Sequence, residues 1–154
     1  MTEPSVRRSG QRPTVTPTNP QQQIDQQPDD PALQAELAAR VFALAHVSEE
    51  PSRISVPGAR ALVLAADAAT GPPESFLIET EFAHLHPAPD YSLHLNLPPK
   101  RAAAEIEAGW VEYHPFVLQG YIEPTRLLVY APRDSDELEK VYELVVESHS
   151  YASG

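Results

Sequence analysis

The chain contains no cysteine, which excludes disulfides, thiolate metal sites, iron–sulfur clusters and a cysteine nucleophile together. Positive charge is scarce: 11 Lys and Arg stand against 22 Asp and Glu, for a net charge of −11. Phosphate binding needs clustered cations, so nucleic acid is not an expected partner. No apolar run reaches the roughly 18 residues of a membrane span. No basic start followed by an apolar stretch marks a secretory signal. No membrane association is expected, and a soluble, cytoplasmic protein is the default reading. Neither glycine-rich nucleotide fingerprint occurs, and there is no G-x-S-x-G elbow and no H-E-x-x-H.

What the chain does have is proline, 17 in 154 residues, against an average near 5%. Six of these fall in the first 31 positions. Residues 1–28 combine five of them with Gln21–Gln23 and three arginines, and Val6, Val15 and Ile24 are the only branched aliphatics there. Such a segment buries too little apolar surface to offset its ordering entropy, so a disordered leader is expected over 1–28, ahead of one domain over 29–154.

From Asp30 onward the pattern becomes globular. Asp30-Pro31 is a helix start, and Leu33, Leu37, Val41 and Leu44 recur at helical spacing, predicting a helix from Pro31 to His46. Strands are predicted at 52–56, 59–65 and from Phe76 toward Glu81, followed by a rigid loop over 83–90. Residues 91–97 alternate, with Leu93, Leu95 and Leu97 on one face and Ser92, His94 and Asn96 on the other. Pro98–Ala108 reads as a helix closed by Gly109, 111–124 as irregular, and 126–130 as a last strand. Asp134 and Glu137 form a capping box for a final helix with an acidic outer face. The fold class is α+β, order α-β-β-β-β-α-β-α. Its antiparallel or mixed sheet has about five strands, with helices packed on one face.

Histidine carries the chemical signal. His84, His86 and His94 lie within eleven positions of one another, bracketed by Glu81 and Asp90. On a strand, His84 and His86 share a face. If their segment pairs with 91–97, all three rings can converge. Three readings fit that spacing: satisfied loop histidines, a His₃ or His₂-carboxylate ligand set for zinc or iron, or a general base oriented by Glu81 or Asp90. His114, in a proline-bounded loop, is a further candidate. Arg133, where a strand end feeds a helix, could hold an anionic group or pair with a neighbouring aspartate. His46 and His149 sit at helix ends and read as structural.

Four blocks in order, E-F-A-H-L-H (81–86), D-Y-S-L-H-L (90–95), G-W-V-E-Y-H-P (109–115) and Y-A-P-R-D (130–134), resemble the fungal luciferase-type domain, which also occurs in small bacterial proteins. That resemblance implies oxidation of a small aromatic or pyrone-type metabolite by molecular oxygen, with no added cofactor. It implies His84, His86, His94 and His114, with Glu81 and Asp90, as the catalytic set. Trp110, Tyr113 and Tyr130 would stack on a flat ring, and Arg133 would hold its enolate. Zinc or iron on His84, His86 and His94, and a non-catalytic small-molecule binding module, are the alternatives. The luminous members carry a hydrophobic membrane-associated segment where this chain has its polar leader.

Overall fold

The computed structural model describes residues 5–154. Helix α1 spans Ala32–Val41, and the Asp30 carboxylate accepts its first N–H at 2.9 Å. It is shorter than predicted, because the chain must turn through Phe42–His46 to enter β1, Val47–Pro51. The other strands are β2 Arg60–Leu64, β3 Glu81–Leu85, β4 Leu93–Asn96, β5 Val111–Tyr113 and β6 Arg126–Val129. Helix α2 spans Pro99–Ala108, α3 Pro115–Leu118 and α4 Ser135–Ser153.

The class is α+β, with one antiparallel sheet in the order β1-β2-β3-β4-β6-β5. It has six strands rather than five. Three local expectations shift. Residues 52–58 are a loop, and the strand lies just before them. The third strand begins at Glu81 and takes in residues 83–85 of the predicted loop. The stretch read as irregular holds β5 and α3, elements too short to print a period on the sequence.

One face of the sheet carries Leu62, Ala83, Leu85, Leu93, Leu95, Val111, Leu127 and Val129. These pack with Leu37 and Val41 of α1, Ala102 and Ala108 of α2, and Leu138, Val141, Leu144 and Val145 of α4 in one core. At roughly 25 cal/mol per Å² of apolar surface, each fully buried leucine contributes about 1.5–3 kcal/mol. The α2 helix ends as predicted: Gly109 adopts φ 91°, and its N–H reaches the Glu105 carbonyl at 3.1 Å. Asp134 caps α4, accepting the Glu137 N–H at 2.9 Å. No helix among the described residues is long and apolar enough to cross a membrane.

The segment expected to lack order instead lies along the domain. Arg8 N–H donates to the Ala108 carbonyl at 2.9 Å, and the Trp110 indole N–H donates to the Val6 carbonyl at 2.6 Å. Arg12 donates to the Val111 carbonyl at 3.0 Å, and Gln23 accepts the Ala131 N–H at 2.9 Å. Arg8, Gln21 and Gln23 are buried. This segment is held mainly by polar side chains meeting backbone groups, a pattern that composition does not display.

Candidate functional site

The site lies on the sheet face opposite the helices. In the β3–β4 pair His84 sits directly across from His94, which brings two imidazoles together on one face. His86 follows β3 by one residue, its backbone N–H donating to the Ser92 carbonyl at 3.1 Å. Its ring falls on the same side as His84 by the two-residue period.

Glu81 would point the other way on a regular strand, since three residues separate it from His84. The register with β2 breaks here: Leu62 pairs with Ala83 and Val63 with Glu81, leaving Phe82 as an extra residue. This β-bulge changes the parity of the strand. Phe82 goes into the core, and Glu81 joins His84, its Oε2 lying 2.9 Å from His84 Nδ1.

The hydrogen bonds fix a tautomer for each ring. A carboxylate only accepts, so His84 Nδ1 carries a proton and Nε2 a lone pair. Ser92 Oγ donates to Asp90 Oδ1 at 2.7 Å and therefore accepts from His86 Nδ1 at 2.9 Å. Asp90 Oδ2 lies 3.1 Å from the same nitrogen. His86 Nε2 is thus unprotonated. The Gln21 amide donates through Nε2 to the Tyr113 carbonyl at 3.1 Å, so its Oε1 accepts from His94 Nε2 at 2.8 Å. His94 Nδ1 is then the lone-pair nitrogen.

These three lone-pair atoms face one another. His94 Nδ1 lies 3.0 Å from His84 Nε2 and 3.0 Å from His86 Nε2, and all three fall within 4.8 Å. With every proton committed outward, no N–H remains to bridge them. Buried lone pairs at this spacing repel unless a cation sits among them. Burial lowers the pKa of His84, against the opposing pull of Glu81. It lowers His94 further still, with His84 and His86 adding to the effect. Protonating a ring is therefore an expensive way to supply that cation. The donor set fits a metal: three neutral imidazoles, each with its outer nitrogen tied to an acceptor, as histidine metal ligands are held. Burial alone would raise the pKa values of Glu81 and Asp90, but hydrogen bonds, foremost those from His84 and His86, hold both below the ordinary range. Both carboxylates are ionised behind the rings.

A cavity of about 220 Å³ opens beside the triad. His84, His86, His94, His114, Gln21 and Arg126 form its polar lining, while Pro20, Ile54, Val56, Leu77 and Phe116 supply apolar walls. His114 Nδ1 accepts the Phe116 N–H at 3.1 Å, leaving Nε2 as its proton-bearing nitrogen. Burial first, then Arg126 and His84, lower its pKa to about 4, so the ring is neutral near pH 7.

Four residues assigned to ligand binding do not line this cavity. Trp110 is 7% exposed within the helix-side core. Tyr113 packs against the same core. The Tyr130 hydroxyl donates to Glu112 Oε1 at 2.8 Å, and burial leads the causes that raise its pKa to about 12. Arg133 is paired with Glu137, Nε to Oε1 at 2.9 Å. Their motifs are explained by packing and capping. Gln21, Phe116 and Arg126 are among the cavity residues that the sequence did not single out. Gln21 lies in the supposed leader, Phe116 in the unrecognised α3, and Arg126 reads as an ordinary charged residue at a strand start.

Residues 79–148 match the family model described as the luciferase domain. Luciferases of Armillaria gallica and Armillaria ostoyae are each 28% identical to the chain, over 92% of it and 58% of their own length. A luciferase of Armillaria mellea is 36% identical over 44% of the chain and 26% of its own length. The chain thus spans about a quarter to three fifths of the curated relatives it matches. No solved structure matches it. The matched segment contains the three converging histidines together with Glu81, Asp90 and Ser92, and over that segment the chain is similar to the luciferase domain family.

Proposed function

We propose that His84, His86 and His94 hold one zinc or iron ion, and that this centre, open toward the cavity, acts on a small molecule in an oxygen-consuming reaction. The observation that carries the metal assignment is the trio of inward lone pairs, with His84 Nε2 and His86 Nε2 each 3.0 Å from His94 Nδ1 and each ring anchored outward. A metal bound there would polarise a substrate oxygen and, as iron, would give access to oxygen chemistry. The chain's own residues do the rest. Glu81, the Ser92–Asp90 pair and Gln21 orient the rings. Ile54, Val56 and Phe116 exclude water from the substrate body. The oxygen-consuming step rests on similarity to the luciferases, which the chain spans only in part.

The test is elemental analysis of tag-free protein after dialysis and reconstitution with zinc and with ferrous iron. About one metal per chain is expected, as for a single three-histidine site, with loss in His84→Ala and His94→Ala. Absence of stoichiometric metal after reconstitution refutes the assignment. Oxygen uptake with electron-rich hydroxypyrones and hydroxy-aromatics then tests the reaction class, and its absence across the panel would favour a binding module. A cofactor-free enzyme using a histidine base is the second reading. The Glu81–His84 dyad, at 2.9 Å, favours it, but the lone pair of His84 points at His94 rather than at a substrate.

A further inference from the structure

In a chain of net charge −11, the lining of the triad cavity contains no carboxylate. Glu81 and Asp90 lie behind the imidazoles and are engaged there. The lining does contain a guanidinium. Arg126 Nη2 donates to the Leu77 carbonyl at 2.7 Å, while its Nε is buried without a hydrogen-bond partner. No carboxylate lies within ion-pair distance of it among the described residues. Burial is what depresses its pKa, and distant Glu81 only partly compensates. A partly buried arginine lacking a counter-ion marks a place where the partner arrives from outside.

A second donor stands beside it. The His114 N–H donates to the Arg126 carbonyl at 3.0 Å, so the two side chains leave neighbouring points of backbone. With Nδ1 engaged by Phe116, the remaining His114 proton is on Nε2, and the ring lines the same cavity. The facing walls, Ile54, Val56 and Phe116, are apolar.

We propose that this cavity binds a small organic anion with a flat apolar body. Its carboxylate is held by Arg126 and by His114 Nε2–H, and the body lies against Ile54, Val56 and Phe116. The inference extends the proposed metal centre by naming the charge class of its substrate. It also relocates the anion-holding role from Arg133, which Glu137 occupies.

The experiment titrates benzoate and benzamide, equal in shape and different in charge, into the full tag-free chain by calorimetry. Zinc-loaded and chelator-treated samples are compared, with metal content measured on each. Benzoate is expected to bind about tenfold or more tightly than benzamide in both samples, the scale of a charge-assisted hydrogen bond. A preference that persists without metal belongs to the protein. Arg126→Met should erase most of it, Arg126→Lys should retain part, and His114→Leu should weaken benzoate while sparing benzamide. Circular dichroism shows whether each variant folds, and the wild-type pair of probes needs no variant.

Equal binding of the two probes, no benzoate binding, or an unchanged preference in folded Arg126→Met overturns the inference. A preference confined to the zinc-loaded sample overturns it as well. Stoichiometric zinc with any of those results leaves the metal assignment standing alone. A metal-independent, Arg126-dependent preference without zinc binding leaves only the anion site standing.

Discussion

Gln21 is the residue whose replacement tests the site most sharply, because it joins the N-terminal segment to the triad. Its side chain is 2% exposed. It accepts from His94 Nε2 at 2.8 Å and donates to the Tyr113 carbonyl at 3.1 Å. Gln21→Leu keeps the volume and removes both bonds. Each is worth about 1 kcal/mol, and a buried N–H stranded on His94 adds about 1–3 kcal/mol. The full cost is then about 3–5 kcal/mol with the segment in place, and less where it lifts at this point and lets water reach His94. Loss of an outer partner of a metal-bound histidine lowers metal affinity about 10–100-fold, which is about 1.4–2.8 kcal/mol. Zinc competition against a chelator at fixed neutral pH measures the second figure and thermal unfolding of the metal-free protein the first. Gln22→Ala is the control. Gln22 meets Thr16 through its backbone N–H at 2.8 Å, which the substitution retains. Zinc affinity within about twofold of wild type, where the expected loss starts near tenfold, would refute the assignment of Gln21 as the anchor of His94.

Three further outcomes follow from the packing and charge. A Cβ at Gly71 would lie 2.1 Å from the Tyr151 carbonyl oxygen and 2.8 Å from the Ala152 carbonyl carbon, so Gly71→Ala should destabilise by about 1–3 kcal/mol; unchanged urea unfolding would contradict this. Burial alone would raise the Glu137 pKa, but the Arg133 hydrogen bonds outweigh it and hold the carboxyl below its ordinary value. Its folded pKa lies below its unfolded one, so this pairing stabilises the fold above about pH 4.3 and is lost as pH falls through the folded value. Glu137→Gln should accordingly flatten the acid limb of the stability profile, and an unchanged limb would exclude the pairing as its source. Leu95, with 0% exposure between α4 and the sheet, should cost about 2–5 kcal/mol when cut to alanine, read by chemical denaturation.

The sequence pattern exposed much of this architecture where a period was long enough to read. Leu93-His94-Leu95-Asn96 alternates because one face meets α4 and the other meets the cavity, and both faces are buried. His84 and His86 shared a face for the same reason. What stayed hidden obeys rules that alternation does not express. Glu81 reached the site through a bulge, which a strict two-residue period forbids. Gln21 reached it through two hydrogen bonds in a segment with almost no apolar residues. Arg126 differs from a solvated arginine in being partly buried without a counter-ion, which is a property of three dimensions. Trp110, Tyr130 and Arg133 lie outside the cavity lining, a placement that motif membership does not reveal.

The bulge at Phe82 has a consequence for how this protein can vary. Strand β3 assigns its residues to the cavity or the core by counting, and the extra residue sets that count to odd between Glu81 and His84. Substitution at Phe82 trades one buried side chain for another and leaves the count alone. A deletion there would remove the bulge and leave Glu81 two residues from His84, on the same face of a regular strand, so the pairing could survive it. Between positions 81 and 84 the site therefore depends on agreement between strand length and register: at this length, a strand that paired without the bulge would turn Glu81 into the hydrophobic interior and away from His84.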